Sequence, residues 1–176
     1  MENLTEVLSL ATRNVPRGYF HLNIDGGDSV YRERVYCYEL YHQMRCIWPN
    51  DSEYCLNGEL DKVAHPILKE LKADHVKPDL LIHKPGCMES NFGIIEVKTK
   101  IAPNSGIKKD LETLSLFINK VCYKRAIYLF YGYGLTSEFL GKVTNVSEEV
   151  ENLAKIEVWA HHTPGKAAKP IGEVGA

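Results

Sequence analysis

The sequence carries almost no net charge. Its 176 residues include 21 Lys and Arg against 23 Asp and Glu, which leaves a formal charge of −2. A protein that binds nucleic acid through bulk positive charge, as histone-like proteins do, needs a large basic excess. The composition excludes that class, although it still allows a basic groove on a neutral protein.

Cysteines are few and are not arranged in pairs. There are five, at positions 37, 46, 55, 87 and 122, and they form no Cys-x-x-Cys motif. A disulfide framework uses an even number of cysteines, and a zinc ribbon uses closely spaced pairs. We therefore expect reduced thiols, as is usual in the cytosol.

Long hydrophobic runs are also missing. The most apolar stretch, residues 126–135, is shorter than the roughly 20 residues of a membrane-spanning helix. The acidic start, Met-Glu-Asn-Leu-Thr-Glu, lacks the apolar region of a secretory signal. We expect a cytoplasmic protein without membrane association. Its length indicates a single domain, which we place at residues 1–162, and its composition indicates a flexible tail at residues 163–176.

Hydrophobic periodicity predicts alternating helices and strands. The predicted helices cover residues 1–14, 31–48, 66–71, 104–121 and 136–153, and the predicted strands cover residues 78–83, 92–99, 125–131 and 156–160. Residues 17–29 are interrupted by glycines and are predicted to form a loop or an irregular strand. Residues 54–64 contain Asn-Gly, which is typical of either a hairpin turn or the start of a strand. The pattern predicts an α/β protein with a mixed sheet covered by helices on both faces.

Two short motifs on the predicted strands carry chemistry. Pro78-Asp79 opens one strand, and Glu96-Val97-Lys98 lies near the end of the next. Residues i and i+2 of a strand share a face, so Glu96 and Lys98 point the same way. If Asp79 begins the adjacent strand, the two carboxylates and a backbone carbonyl can hold a divalent cation such as Mg²⁺. Lys98 could then orient or deprotonate a water molecule and neutralise charge on a phosphate.

These residues resemble the PD-(D/E)XK superfamily of restriction-endonuclease-like nucleases. The resemblance covers about residues 30–135 and includes the order of helix, strands, motif hairpin, helix and strand. It implies a three-layer α/β/α fold with a central mixed sheet. It also implies hydrolysis of DNA phosphodiester bonds around a Mg²⁺ held by Asp79 and Glu96, with Mn²⁺ as an alternative metal and Lys98 as the catalytic lysine.

The resemblance also implies an acid on the helix before the sheet. Glu39, at the edge of the buried face of the predicted helix 31–48, is placed to supply it. Glu59 is either a further acid or a solvated turn residue. The helix after the motif lacks the Gln and Tyr of RecB-type members, so this chain departs from that subfamily.

Four lysines could form a basic rim that contacts DNA phosphates: Lys98, Lys100, Lys108 and Lys109. Lys108 and Lys109 fall in the first turn of a predicted helix, where the helix dipole disfavours cations and a bound phosphate would offset that conflict. The other interpretation is an ordinary solvated surface. A homodimer, or a partner protein that targets the chain to DNA, would compensate for the absence of a recognisable recognition domain.

Two further functions remain open. One is a catalytically inactive nuclease-fold module that binds DNA or protein. The other is a different phosphoester enzyme or a nuclease directed at RNA. Cleavage of a plasmid or oligonucleotide with a divalent metal separates the enzyme from the inactive module.

Overall fold

The computed structural model describes residues 3–59, 69–70, 76–136 and 138–176. Within these residues, six strands form one mixed sheet in chain order, from β1 to β6. They are β1 (Cys55–Gly58), β2 (Leu80–His83), β3 (Asn91–Thr99), β4 (Arg125–Tyr131), β5 (Ile156–His161) and β6 (Lys169–Val174). The central strands β3, β4 and β5 are parallel, whereas β1, β2 and β6 pair antiparallel with their neighbours.

Helices pack on both faces of this sheet. The described helices are α1 (Leu4–Asn14), α2 (Arg17–Phe20), α3 (Glu33–Cys46), α4 (Asn104–Asn119) and α5 (Glu138–Ser147). The apolar side chains of α1, α2 and α3 form one core against the sheet, and those of α4 and α5 form a second core on the opposite face. Within the described ranges, no helix combines the length and the apolar character needed to cross a membrane. The predicted α/β class with a mixed sheet covered on both faces is confirmed.

Strand β3 shows how the two cores divide the sheet. Ile95 and Val97 lie in the core of α1–α3, and Ile94 lies in the core of α4 and α5. This alternation follows from the two-residue period of a strand. Both faces of β3 are covered, so its apolar run is nearly continuous. Glu96, which shares the face of Ile94, is therefore a carboxylate at a buried position.

The C-terminal segment contradicts its prediction. Residues 163–176 do not form a flexible tail, because Lys169–Val174 is the edge strand β6 and pairs with β5. An edge strand has one hydrogen-bonding neighbour and here buries few side chains, so its sequence is polar and tolerates Pro170. Ala168 and Val174 are buried and anchor the segment at its two ends.

Two other segments differ from their predictions or fall outside the description. Residues 17–29 include the short helix α2, whose last residue, Phe20, is fully buried and packs edge-on against Tyr131. Burial of this aromatic ring stabilises a turn of helix that the surrounding glycines do not favour. The helix predicted over residues 66–71 lies outside the described residues, apart from the helical pair Lys69 and Glu70.

Candidate active site

The antiparallel pairing of β2 and β3 brings the two motif carboxylates together. Leu80 is paired with Ile95, so the preceding Asp79 lies beside Glu96. The Oδ2 atom of Asp79 accepts a hydrogen bond from the backbone N–H of Val97 at 2.7 Å. The Asp79 and Glu96 carboxyl groups also share a hydrogen bond, which lowers the pKa of Asp79 and raises that of Glu96. A hydrogen bond between two carboxyl groups requires that one of them keeps its proton.

Burial makes this carboxyl pair costly to ionise. Glu96 is only 7% exposed, and burial, followed by the charges of Asp79 and Asp110, raises its pKa well above the ordinary value. Burial also raises the pKa of Asp79 to about 6, against the lowering effect of the hydrogen bond from Val97. Two like charges this close cannot both ionise cheaply in a buried site. The pair therefore needs either a shared proton or a bound cation.

Lys98 lies on the same face as Glu96, two residues further along β3, and is held by two other carboxylates. Its Nζ atom is 2.9 Å from Oδ2 of Asp110 and 3.0 Å from Oε1 of Glu33. Burial lowers the pKa of Lys98, but the charge of Asp110 and the hydrogen bonds to Asp110 and Glu33 outweigh it and raise the pKa above its ordinary value. Lys98 is therefore a fixed ammonium ion. Of its predicted roles, orienting a water molecule and neutralising charge fit this environment, whereas deprotonation of water does not.

The acid that α3 supplies to this cluster is Glu33, not Glu39. Glu39 lies elsewhere, where its Oε1 atom accepts a hydrogen bond from Gln43 at 2.7 Å. Glu39 follows Glu33 by six residues, and at 3.6 residues per turn the two side chains point about 120° apart around the helix. The buried stripe of Tyr36, Leu40 and Met44 continues back to Glu33 with spacings of three and four residues. Extending that stripe by one turn would have found Glu33.

Asp110 and Tyr128 are site residues that the sequence analysis missed. Asp110 lies on α4 with 7% exposure, and the Tyr128 hydroxyl donates a hydrogen bond to its Oδ2 at 2.8 Å. Tyr128 is paired with Glu96 in the parallel register of β3 and β4, so both residues share a face. Asp110 follows Ile107 by three residues on the buried stripe of α4. The position of Asp110 on an otherwise apolar stripe was the sequence feature that could have identified it.

These groups line a cleft of about 270 Å³ at the end of the sheet. Its charged lining consists of Glu33, Asp79, Glu96 and Asp110 together with Lys77, Lys98 and Lys109. The cleft thus combines an acidic floor that can take a cation with lysines that can contact an anion.

The four lysines of the predicted basic rim have different surroundings. Lys98 and Lys109 line the cleft. Lys100 donates a hydrogen bond to the backbone carbonyl of Tyr133, and Lys108 is ion-paired with Glu149, 3.5 Å away. Lys98 and Lys109 therefore share the cleft, whereas Lys100 and Lys108 are held by other partners, and the contact of all four with DNA stays a prediction.

The donor set suits a hard divalent cation with few protein ligands. Among the residues that the structure describes, no group of three or more His, Cys, Asp or Glu side chains is placed to hold a metal. The candidate ligands are thus the carboxylates of Asp79 and Glu96. Mg²⁺ keeps several waters and is commonly bound through one or two carboxylates plus substrate phosphates. The buried pair, which already requires a proton or a cation, fits that mode.

Comparisons of the chain with known protein families, with curated proteins and with solved structures find no match.

Proposed function

We propose that the chain is a Mg²⁺-dependent deoxyribonuclease with a restriction-endonuclease-like fold. The observation that carries this proposal is the pairing of Asp79, directly before β2, with the buried Glu96 on β3, and the Lys98 ammonium two residues beyond Glu96. A six-stranded mixed sheet between two helical layers is compatible with that fold. Mn²⁺ could replace Mg²⁺, because both take oxygen ligands.

In this proposal, Asp79 and Glu96 hold the metal through their carboxyl oxygens. The bound metal would polarise the scissile phosphate and lower the pKa of a coordinated water. A carboxyl group acts as a metal ligand in its ionised form, and burial raises the pKa of Glu96, so metal binding would strengthen as the pH rises. A bound cation would offset the repulsion between the two carboxylates.

Lys98 stabilises the negative charge that grows on the phosphate during hydrolysis. Its ammonium is held in place by Asp110 and Glu33, so its donors are oriented before the substrate arrives. Preorganised donors of this kind are the main source of electrostatic catalysis. The hydroxyl of Tyr128 fixes Asp110 in turn. Lys109 and Lys77, which also line the cleft, can contact the flanking phosphates.

A second candidate is a nuclease-fold module that binds without cutting. One observation favours it: the charge of Lys98 is already balanced by two carboxylates, at 2.9 and 3.0 Å. An ammonium shared in this way has less charge to offer a phosphate. Such a module would bind DNA or a protein and would show no turnover with any metal.

Cleavage assays separate the two candidates. Purified protein is incubated with supercoiled plasmid, single-stranded DNA and RNA in Mg²⁺, Mn²⁺, Ca²⁺ or EDTA. We expect cleavage of DNA in Mg²⁺ or Mn²⁺, little in Ca²⁺ and none in EDTA. Lys98→Ala should cut about 100-fold more slowly or worse. Lys155→Ala, which removes an exposed lysine paired with Glu173, is the matched control and should cut normally. Failure of the wild-type protein to cut any substrate refutes the proposal.

A further inference from the structure

A second cavity lies next to the catalytic cleft and shares Asp79 with it. This cavity has a volume of about 360 Å³, within the range of small-molecule sites. We call it the tyrosine pocket, and its lining includes Tyr38, Tyr41, Asn57, Gly58, Glu59 and Asp79. Asp79 lines both cavities, so the tyrosine pocket adjoins the cleft at one of the two paired carboxylates.

Helix α3 contributes two aromatic rings to this pocket. Tyr38 and Tyr41 are three residues apart on the helix, so they lie side by side on one face. Tyr38 is 56% exposed, although a large aromatic side chain is usually more deeply buried. An exposed ring at the mouth of a cavity is a surface on which a planar ligand can stack.

The strand β1 and the residue after it supply polar groups and open space. Asn57 and Glu59 add an amide and a carboxylate. Oδ1 of Asn57 is 2.9 Å from Nε2 of His83, and Oε1 of Glu59 is 3.3 Å from Nε of Arg34. The groups that can hydrogen-bond the edge of a base are therefore the Asn57 NH₂ and Oε2 of Glu59. Gly58 lies between them, and its lack of a side chain leaves room in the pocket. A Cβ at Gly58 would lie 3.5 Å from the Tyr41 ring and 3.6 Å from the backbone oxygen of Asp79. These are ordinary contact distances, so a side chain here would narrow the pocket without a clash at Cβ.

We propose that the tyrosine pocket binds one unstacked base of the DNA strand whose phosphate lies at Asp79 and Glu96. The proposal rests on the nuclease function and adds the substrate class, which is single-stranded DNA or DNA with a frayed or unpaired nucleotide. A base inside a duplex is stacked on both faces and cannot enter a pocket, whereas an unpaired base can stack on tyrosine. The shared residue Asp79 sets the base next to the phosphate.

The test measures binding separately from cleavage. A single-stranded oligonucleotide containing 2-aminopurine, and the same strand in a duplex, are titrated with protein in Ca²⁺, which we expect to permit binding with little cutting. The variants are Tyr38→Ala, which removes an exposed ring, and Gly58→Val, which fills the pocket. The control is Tyr19→Ala, which removes a ring of similar exposure, 46%, on α2. Thermal melting accompanies each variant.

We expect both pocket variants to weaken single-strand binding about 5- to 100-fold, the range of one lost base–aromatic stack. Duplex binding should change little, and Tyr19→Ala should bind like the wild type. The 2-aminopurine fluorescence should change on binding to the wild type and not on binding to Gly58→Val.

The outcomes test the base-binding pocket and the nuclease function separately. The pocket proposal is overturned if Tyr38→Ala and a folded Gly58→Val bind the single strand as tightly as the wild type. It is also overturned if the wild type does not bind that strand, or if single-strand and duplex binding weaken equally. If the variants lose single-strand binding while the wild type cuts nothing, the pocket stands and the nuclease function fails.

Discussion

Replacing Asp79 by Asn should stabilise the metal-free protein while abolishing its function. The folded state raises the pKa of Asp79 from 3.8 to about 6, mainly through burial. At about 1.36 kcal/mol per pKa unit, this rise makes the ionised carboxylate cost about 3 kcal/mol of folding free energy at neutral pH. An Asn side chain carries no charge, can still accept the hydrogen bond from Val97, and can donate one to Glu96.

The sign of the pH dependence is a second part of this prediction. A carboxyl group with a raised folded-state pKa supports folding fully below its unfolded pKa, here 3.8, and loses that contribution as the pH rises through about 6. The advantage of Asp79→Asn should therefore be about 3 kcal/mol at pH 7.5 and less than about 1 kcal/mol at pH 4.

Urea unfolding in EDTA at both pH values measures this difference, with Asp28→Asn at an exposed position as the control. Mg²⁺ should then raise the melting temperature of the wild type, because a ligand of the folded state stabilises it, and leave that of Asp79→Asn unchanged. A variant less stable than the wild type at pH 7.5, or an equal gain at both pH values, would show that ionised Asp79 does not destabilise the folded protein.

Three other predictions concern Asp110, Lys109 and His161. Asp110→Asn should lower kcat about 10- to 100-fold and change KM little, because Lys98 loses the carboxylate that holds it 2.9 Å away. Steady-state kinetics measure this effect, and an unchanged kcat would show that Asp110 does not position the lysine. Lys109→Ala should reduce the slope of log K for DNA binding against log salt concentration by about 0.7–0.9. Lys108→Ala, which removes a lysine ion-paired with Glu149, should leave this slope unchanged. Equal slopes for the wild type and both variants would show that Lys109 does not contact a phosphate. Burial lowers the pKa of His161 from 6.5 to about 4. The neutral buried imidazole therefore contributes fully to folding stability above pH 6.5, and about 3 kcal/mol of the free energy of unfolding is lost as the pH falls to 4. Urea unfolding of His161→Gln should lack this loss, and an identical pH dependence would show that His161 does not cause it.

The local pattern of the strands was enough to predict the centre of the site. Glu96-Val97-Lys98 falls on β3 as expected, and Pro78-Asp79 lies directly before β2, which begins at Leu80 and not at Pro78. Strand alternation and turn residues determine both elements locally. Because the two strands are joined by a short turn segment, the simplest arrangement for them is an antiparallel pair, as observed for β2 and β3. Asp79, Glu96 and Lys98 were predictable for this reason.

The groups around that centre depend on contacts between distant segments. Glu33 is 65 residues from Lys98 along the chain, and which turn of α3 meets the end of β3 is set by how the helix packs on the sheet. Asp110 was passed over because its stripe was interpreted only as apolar. Glu33 and Asp110 both continue the buried stripes of their helices. A charged residue at a core-facing position of a predicted helix is therefore a candidate site residue.

The C-terminal strand could not be predicted from composition. Strand β6 is polar, contains Pro170 and Gly172, and gains its structure from backbone pairing with β5. Edge strands bury little apolar surface, so their sequences resemble those of loops.

Crystals soaked in Mn²⁺ would test the central claim most directly, because anomalous scattering locates this ion. We expect an ion bound directly by carboxyl oxygens of both Asp79 and Glu96, and no ion there in crystals of Glu96→Gln. Carboxyl groups that keep their shared hydrogen bond in Mn²⁺, with no anomalous peak between them, would show that the pair does not bind a metal.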